Sequence, residues 1–360
     1  MVKETFISDP GRMRFDDIIN CALQGKDLTK EEILQLLLIS ERNGLDALFS
    51  AADDLRKIAV GGEIYLRGII EFSNFCGRNC LYCGLRRDNH AITRYRMPEK
   101  DILLSAHHIR KLEVSTVVLQ SGEDESLNRD SLCRLISRIK EETALIITLS
   151  VGEGSFEDYR AFREAGADRY LLKHETSSAR IHKRLRPGAP FENRLKCLYW
   201  LKELGYEVGT GIMVGLPLQN VDMLADDILF MQKMDADMLG IGPFITHSQT
   251  PLANCPNGDP DMVLKVIAIA RLVTKTTNIP ATTALGSLSR DARLKAISCG
   301  ANVIMPDFTP LKYKRLYDIY PGKSDDNTDV ETFMINLHAQ ITKLGRIIGQ
   351  GSDHRKREII

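Results

Sequence analysis

Cys76-Gly-Arg-Asn-Cys80-Leu-Tyr-Cys83 brings three of the chain's eight cysteines into eight residues, with the spacing C-x3-C-x2-C. The preceding segment, 63–73, is apolar enough to predict a buried strand. We therefore expect the cysteines on a loop that leaves the C-terminal end of that strand. Three thiolates on one loop can bind three irons of a [4Fe–4S] cube. The fourth iron then has no protein ligand nearby, and an open position of this kind is typical of a catalytic metal site.

The same cysteines allow two other interpretations. Zinc would need a fourth ligand, and the nearby candidate is His90, outside the usual paired C-x2-C arrangement. Unpaired buried cysteines could also serve simply as small apolar residues. The concentration of three thiols in a polar loop that contains glycine and arginine favours the cluster.

Composition narrows the class of protein. The chain has 360 residues, 43% of them hydrophobic, and equal numbers of basic and acidic residues, 48 each. A neutral chain gives no reason to expect attraction to nucleic acid or to an anionic membrane. It has no apolar run long enough to span a membrane, and residues 1–10 lack the apolar core of a signal peptide. We expect a cytoplasmic protein.

From residue 63 onward, short apolar segments alternate with helical patterns, which predicts an α/β fold with a parallel sheet. Eight such strands favour a closed (β/α)8 barrel of the TIM type, with active-site residues at the C-terminal ends of the strands. The predicted strands are 63–72, 115–121, 144–151, 168–175, 207–214, 237–243, 279–284 and 301–305. The predicted domains are an N-terminal helical extension (1–61), the barrel (62–310) and a C-terminal closing helical segment and tail (311–360). Within the extension, Thr29 and Glu32 form a capping-box signature.

Several predicted strands carry polar residues on one parity. Arg67 and Glu71 share one face of the first strand, Thr148 and Ser150 of the third, and Lys173 and Glu175 of the fourth. Charged residues are seldom buried unless paired, so these side chains could line a ligand-filled barrel. Alternatively, they could face the outer helices or pair with each other. The position of Glu175 at a strand end favours a ligand contact.

The cysteine loop, with Tyr82 before its last cysteine, resembles the radical S-adenosylmethionine (SAM) superfamily. Three further segments are similar to the HydE family of [FeFe]-hydrogenase maturases: Glu71-Phe-Ser-Asn74, Cys80–Asn89 and Arg94-Tyr-Arg-Met97. The resemblance covers about residues 63–320 and includes the relatives biotin synthase and methylornithine synthase. It implies a [4Fe–4S] cluster on Cys76, Cys80 and Cys83, and reductive cleavage of SAM to a 5′-deoxyadenosyl radical.

The resemblance also implies SAM contacts. In the segment 119–124, Ser121 and Glu123 stand in a Gly-Gly-Glu-like motif near the SAM amino group, and Glu175 binds the same group. Arg194 meets the SAM carboxylate, and the segment 209–217 lies near the adenine. Tyr82, Ser150 and Met213 complete the expected SAM contacts. Lys173 stands where the family tends to have arginine, and lysine lacks the planar bidentate grip of a guanidinium.

The expected substrate cavity suits an anionic guest, because it combines positive charge with hydroxyl donors. Its residues are Arg67, Thr148, Lys173, Thr282, Thr283, Met305, Tyr317 and Tyr320. The implied reaction belongs to H-cluster assembly on a cysteine-bound iron carbonyl–cyanide precursor. The implied partners are other hydrogenase maturases and an electron donor such as ferredoxin or flavodoxin.

Alternatives stay open from the residues alone. A methylornithine synthase would rearrange lysine, and Glu71 or Asp124 could bind the extra cation of that substrate. A non-catalytic carrier of an Fe–S precursor is the third possibility. The remaining cysteines are scattered at 21, 133, 197, 255 and 299, so we expect a single cluster. The basic segment 354–358 is expected to be a solvated tail.

Overall fold

The computed structural model describes residues 14–323 and 328–357. Its centre is a parallel sheet in which neighbouring strands follow the order β6-β5-β4-β3-β2-β1-β7, and β8 pairs with β1. The strands are β1 Glu63–Ser73, β2 Thr116–Ser121, β3 Ile146–Ser150, β4 Arg169–Leu171, β5 Glu207–Val214, β6 Met238–Pro243, β7 Val303–Ile304 and β8 Ile347–Ile348. The predicted TIM-type barrel is confirmed, and the first six strands lie where the sequence placed them.

The predicted seventh strand, 279–284, is wrong in detail. Residues near 280 form only isolated parallel bridges to β6 and to β7. The N–H of Leu239 donates to the carbonyl of Asn278, and the N–H of Ala281 donates to that of Val303, both at 2.9 Å. These bonds join β6 to β7 across the gap in the ring. The strand stops early because the Thr282 hydroxyl accepts from the N–H of Leu285 and begins a helix there.

Helices alternate with the strands and cover the barrel. They are α1 Phe15–Leu23, α2 Lys30–Leu37, α3 Arg42–Val60, α4 Glu99–Lys111, α5 Arg129–Thr143, α6 Phe156–Glu164, α7 Ala179–Leu185, α8 Phe191–Glu203, α9 Val221–Met234, α10 Pro260–Thr274, α11 Thr283–Leu288, α12 Arg290–Ile297, α13 Leu311–Lys314 and α14 Val330–Lys343. The short helices α7 and α11 were not predicted. No described helix is long and apolar enough to cross a membrane. The expectation about residues 1–10 concerns a part of the chain outside the described residues.

The N-terminal helices pack on the outside of the barrel, where α3 contacts α10 and α2 contacts α9. The capping box at the start of α2 is confirmed. The Thr29 hydroxyl accepts from the N–H of Glu32 at 3.2 Å, and the Glu32 carboxylate accepts from the N–H of Thr29 at 2.7 Å. These bonds satisfy N–H groups that the helix itself leaves free.

The C-terminal segment is not a solvated tail, so that prediction is wrong. Asp353 is 3% exposed and lies against Arg67 and Arg169, with N–O distances of 2.5 and 2.7 Å. Farther along, Arg355 pairs with Asp235 at 2.6 Å, and Arg357 pairs with Asp237 at 2.7 Å. Arg355 and Arg357 are therefore bound to carboxylates at the N-terminal end of the barrel, whereas Lys356 is exposed and Glu358 lies outside the described residues.

Candidate active site

The three clustered cysteines follow β1 at the C-terminal end of the barrel, as predicted. Cys80 is buried, whereas Cys76 and Cys83 are partly exposed, and every cysteine of the chain is a free thiol. Burial raises the pKa of all three clustered thiols. Within the described ranges, no three His, Cys, Asp or Glu side chains converge on a single metal ion. A cubane makes a different demand, because each cysteine binds a separate iron.

Glycine at position 122 allows the end of β2 to approach the cysteine loop. A Cβ atom at Gly122 would lie 2.2 Å from the carbonyl oxygen of Phe75 and 2.8 Å from the Cβ of Cys76. Real Cβ atoms do not tolerate such distances, so only glycine fits. The N–H of Gly77 then donates to the carbonyl of Glu123 at 2.8 Å. The two segments that sequence analysis singled out are thereby joined.

Arg94 holds the cysteine loop in shape. Its guanidinium donates to four carbonyl oxygens around the loop, those of Asn74, Leu85, Arg86 and Asn89, at 2.6–3.1 Å. Backbone carbonyls in an irregular loop need such donors when they are withdrawn from water. The Arg94–Met97 segment therefore has a structural role in orienting the cysteines.

Glu123 lies among three guanidinium groups. Its carboxylate is 2.5 Å from Arg78, 3.0 Å from Arg186 and 3.1 Å from Arg194. Burial alone would raise the pKa of Glu123, but the three arginines outweigh it and hold that pKa below its ordinary value. The carboxylate is therefore ionised, and two buried arginines share its Oε1 atom.

A second carboxylate, Glu153, completes this network. It lies 3.2 Å from Arg78 and 2.8 Å from Arg194, and it accepts from the amide of Asn193 at 2.6 Å. The contact between Arg194 Nε and Glu153 Oε1 is close but not aligned as a hydrogen bond, since both atoms lack a hydrogen-bond partner. Both groups thus retain unused hydrogen-bonding capacity.

Glu175 has an unusual backbone conformation. Its φ is +69°, in the left-handed region that non-glycine residues rarely adopt. Its N–H donates to Gly211, and its carbonyl accepts from Met213, at 2.9 and 3.0 Å. Strained residues of this kind cluster at functional sites, where the surrounding structure enforces them. The side chain lies 3.4 Å from Lys173, the partner that sequence parity indicated.

Buried atoms without hydrogen-bond partners are concentrated around these charges. They include Glu153 Oε1, Glu175 Oε2, both ring nitrogens of His182, Arg186 Nε and Arg194 Nε. Buried polar groups in native proteins are nearly always hydrogen-bonded, so such a set is typical of a polar ligand site. The methionine part of SAM offers an ammonium to carboxylates and a carboxylate to guanidiniums. The residues present fit that group.

The site is dense in charges of both signs. Around it, four cations face three carboxylates, a set that can bind both the ammonium and the carboxylate of a zwitterion. The cations are Arg78, Lys173, Arg186 and Arg194, and the carboxylates are Glu123, Glu153 and Glu175.

Other predicted SAM contacts lie at the same end of the barrel. In register, Ser121 pairs with Ser73 and Ser150 with Gln120, at the C-terminal ends of β1 to β3. The Ser121 hydroxyl donates to the carbonyl of Gly122 at 2.7 Å. Tyr82 and Met213 pack in one small apolar cluster with α7. His174, next to Glu175, is buried and contacts the hydroxyl of Thr210 at 2.8 Å.

The predicted cavity residues divide into two levels. Arg67 and Thr148 lie low in the barrel, where Arg67 is paired with Asp353. Toward the other end, Tyr317 is buried and its hydroxyl accepts from Gln120 at 3.4 Å. Thr282 caps α11 and Thr283 is the first residue of that helix. Met305 and Tyr320 are partly exposed.

A buried ion pair lies at this upper level, and the sequence did not indicate it. Nζ of Lys323 is 2.5 Å from Glu71 and 3.4 Å from Asp307. Burial raises the pKa of Glu71, while Lys323 opposes that rise. Asp124, the other acid considered as a lysine-binding group, is bound by Arg96 at 2.6 Å and by the hydroxyl of Ser73 at 2.8 Å. Both acids therefore already have a donor from this chain.

Comparison with known proteins identifies the family. Residues 70–231 match the model of the radical SAM superfamily. Over 339 residues, the chain is 47% identical to the [FeFe] hydrogenase maturase subunit HydE of Thermotoga maritima, covering 93% of this chain and 96% of that protein. The chain belongs to the HydE family. It is thus a radical SAM enzyme, and its family implies a [4Fe–4S] cluster and SAM.

Relatives outside the HydE family share the fold at lower identity. The 3-methylornithine synthase of Methanosarcina barkeri is 28% identical over 82% of this chain and 84% of its own length. A crystal structure of methylornithine synthase superposes with a TM-score of 0.82 at 24% identity, covering 92% of this chain and 97% of that one. HydG from Carboxydothermus hydrogenoformans superposes with a TM-score of 0.78 at 19% identity, covering 95% and 81%. At these identities, the two structures establish the barrel fold alone.

Sequence reasoning missed several residues of the site. Arg186 follows a short helix that was not predicted, and Glu153 lies on a loop with no motif around it. Arg78 is inside the cysteine motif, but its pairing with Glu123 depends on how β2 meets the loop. Lys323 and Asp353 come from far along the chain. One sequence signal could have indicated Arg78: it is a charged residue within the cysteine motif that has no acidic residue beside it in the sequence.

Proposed function

We propose that this chain cleaves SAM reductively and acts in assembly of the [FeFe]-hydrogenase H-cluster, on a cysteine-bound iron carbonyl–cyanide precursor. The observation that carries the proposal is the 47% identity to a HydE subunit over nearly the whole length of both chains. The proposed partners are other hydrogenase maturases and a ferredoxin or flavodoxin, and the proposed compartment is the cytoplasm.

In this proposal, Cys76, Cys80 and Cys83 hold the cluster. The cluster and SAM, when both are bound, would supply one-electron reductive cleavage of a carbon–sulfur bond of the SAM sulfonium. Glu175 binds the ammonium of SAM, since its Oε2 is buried without a hydrogen-bond partner. Arg194 binds the carboxylate of SAM. That carboxylate can take the place of Glu123 and Glu153, which both contact Arg194 in the structure.

The remaining SAM contacts are proposed to be less polar. Met213 and Tyr82 pack together beside the cysteine loop, where they would exclude water from the reacting bond. Ser121 and Ser150 lie at the C-terminal ends of β2 and β3. The substrate is proposed to lie above Arg67 and Thr148. The other residues proposed to surround it are Lys173, Thr282, Thr283, Met305, Tyr317 and Tyr320.

The ion pairs of Glu71 and Asp124 support this substrate class over lysine. A lysine mutase must neutralise an additional substrate cation, and a buried cation needs a carboxylate of its own. Glu71 shares Lys323 with Asp307, and Asp124 is paired with Arg96. A substrate ammonium at Glu71 or Asp124 would have to displace a cation of this chain, which disfavours the methylornithine synthase alternative.

The proposal is tested with an extract that contains hydrogenase apoprotein and all maturases except HydE. Addition of the reconstituted chain should restore hydrogen production. The same protein should release 5′-deoxyadenosine and should form no methylornithine from lysine and SAM. Restoration without 5′-deoxyadenosine release would favour a non-catalytic carrier.

A further inference from the structure

Helix α7 lies directly over the cysteine loop. The N–H of Leu81, between two of the clustered cysteines, donates to the carbonyl of Leu185 at 2.9 Å. The apolar side of α7, formed by Ile181 and Leu185, belongs to the same apolar cluster as Tyr82. One face of this short helix is thus fixed against the loop that carries the metal ligands.

The opposite face of α7 is basic and open to solvent. Arg180, Lys183 and Arg184 are all exposed. They form no ion pair or hydrogen bond with any residue in the described ranges, and α7 contains no acidic residue. The nearby Arg87 is also exposed and is paired with Asp88 at 3.2 Å. The exposed acid closest in sequence beyond α7 is Glu192.

This concentration of positive charge is a local feature, because the chain as a whole has no net charge. Other exposed arginines, such as Arg42 and Arg129, are paired with carboxylates. The α7 face, defined here as Arg180, Lys183 and Arg184, keeps its charge directly above the cysteine loop. A fixed potential of one sign attracts a partner of the opposite sign and accelerates encounter.

We infer that the α7 face is the docking surface for an acidic one-electron donor protein, such as a reduced flavodoxin. This inference rests on the proposed function, which needs an electron at the cluster. In the step, the flavin hydroquinone is oxidised to the semiquinone, and the cluster is reduced by one electron. A donor seated on α7 would be separated from the cysteine loop by one helix, about 10 Å across. Nucleic acid would also favour positive charge, but it carries no electron to the cluster.

The test reverses the charge of two residues in K183E/R184E, with R110E/K111E as the matched control. Both pairs are exposed basic residues in the last turn of a helix, so the two variants change the helix dipole alike. The neutral variant K183Q/R184Q should give an intermediate effect. Binding of reduced flavodoxin to the reconstituted protein is measured by titration, and cluster reduction is followed by its visible absorption.

K183E/R184E should weaken flavodoxin binding and slow reduction by flavodoxin by roughly tenfold, while R110E/K111E resembles the wild type. The difference should shrink in about 0.5 M salt, because exposed charges are then screened. Reduction by dithionite should be the same in all variants. Equal flavodoxin binding and reduction in K183E/R184E and wild type would overturn the inference. Failure of dithionite-reduced wild type to cleave SAM would instead contradict the proposed function.

Discussion

Nη2 of Arg194 lies 3.1 Å from Oε1 of Glu123, so two residues that were expected to contact SAM separately bind each other. Arg186 reaches the same oxygen atom at 3.0 Å. An internal carboxylate is thus held by two buried guanidiniums at the place where a ligand carboxylate is expected. This arrangement makes Arg186 a third participant that no motif indicated.

We predict that Arg186→Gln weakens SAM binding roughly ten- to a hundredfold, because a charge-assisted hydrogen bond contributes about 1.5–3 kcal/mol. The measurement is SAM affinity of the reconstituted protein. Arg184→Gln is the control, two residues away and exposed. Decarboxylated SAM should bind the Arg186 variant and the wild type equally. Loss of affinity for both ligands would indicate a structural role in place of carboxylate binding.

A substitution at Glu175 can separate an effect on the stability of the fold from an effect on SAM binding. Glycine adopts a positive φ without steric cost, so Glu175→Gly relieves strain of about 1 kcal/mol or more, offset in part by the greater freedom of glycine in the unfolded chain. We expect an unchanged or higher unfolding midpoint together with weaker SAM binding. Glu192→Gly, at an exposed helical position, is the control for a general glycine effect. A variant that bound SAM as tightly as wild type would exclude Glu175 as the ammonium ligand.

Much of the fold could be predicted from the alternation of apolar and helical segments. The position of the cysteine loop and its role as a cluster site could be predicted from the spacing of its cysteines. What could not be predicted depends on tertiary contacts. The left-handed conformation of Glu175 is imposed by hydrogen bonds to β5, not by its own preference. Thr282 appeared to continue a strand, but its hydroxyl caps a helix. Asp353 pairs with Arg67 from 286 positions away, a distance over which local sequence carries no signal.

Asp353 should stabilise the fold. It is buried with Arg67 and Arg169, and removal of one partner of a buried ion network leaves charge uncompensated. We predict that Asp353→Asn lowers the free energy of unfolding by about 3–5 kcal/mol, measured by denaturant titration. The exposed Asp222, which pairs with Lys30, provides the control Asp222→Asn, with a change under about 1 kcal/mol.

The same ion network predicts a pH dependence. Burial alone would raise the pKa of Asp353, but Arg67 and Arg169 lower it well below its ordinary value. The unfolded chain therefore binds this proton more readily than the folded chain. The stabilisation is present in full above the unfolded pKa of about 4 and is lost as the pH falls toward the folded value. The stability difference between wild type and Asp353→Asn should narrow below about pH 4. A constant difference down to about pH 2 would contradict this assignment.

Anaerobic reconstitution should give about four irons per chain, as one cubane requires. Substitution of Cys76, Cys80 or Cys83 by serine should abolish the cluster. Cys299→Ser, which alters a buried cysteine outside the loop, should retain the iron and the visible absorption of wild type. Full iron in the Cys80 variant would place the cluster elsewhere.

The most direct test of the account is hydrogenase activity restored to an extract that lacks only its HydE component, compared among wild type, Cys80→Ser and Cys299→Ser. We predict that wild type and Cys299→Ser restore activity and that Cys80→Ser does not. Equal restoration by the Cys80 variant would contradict the proposal that this cluster is needed for hydrogenase maturation. No restoration by wild type with an intact cluster would contradict the proposed role in maturation itself.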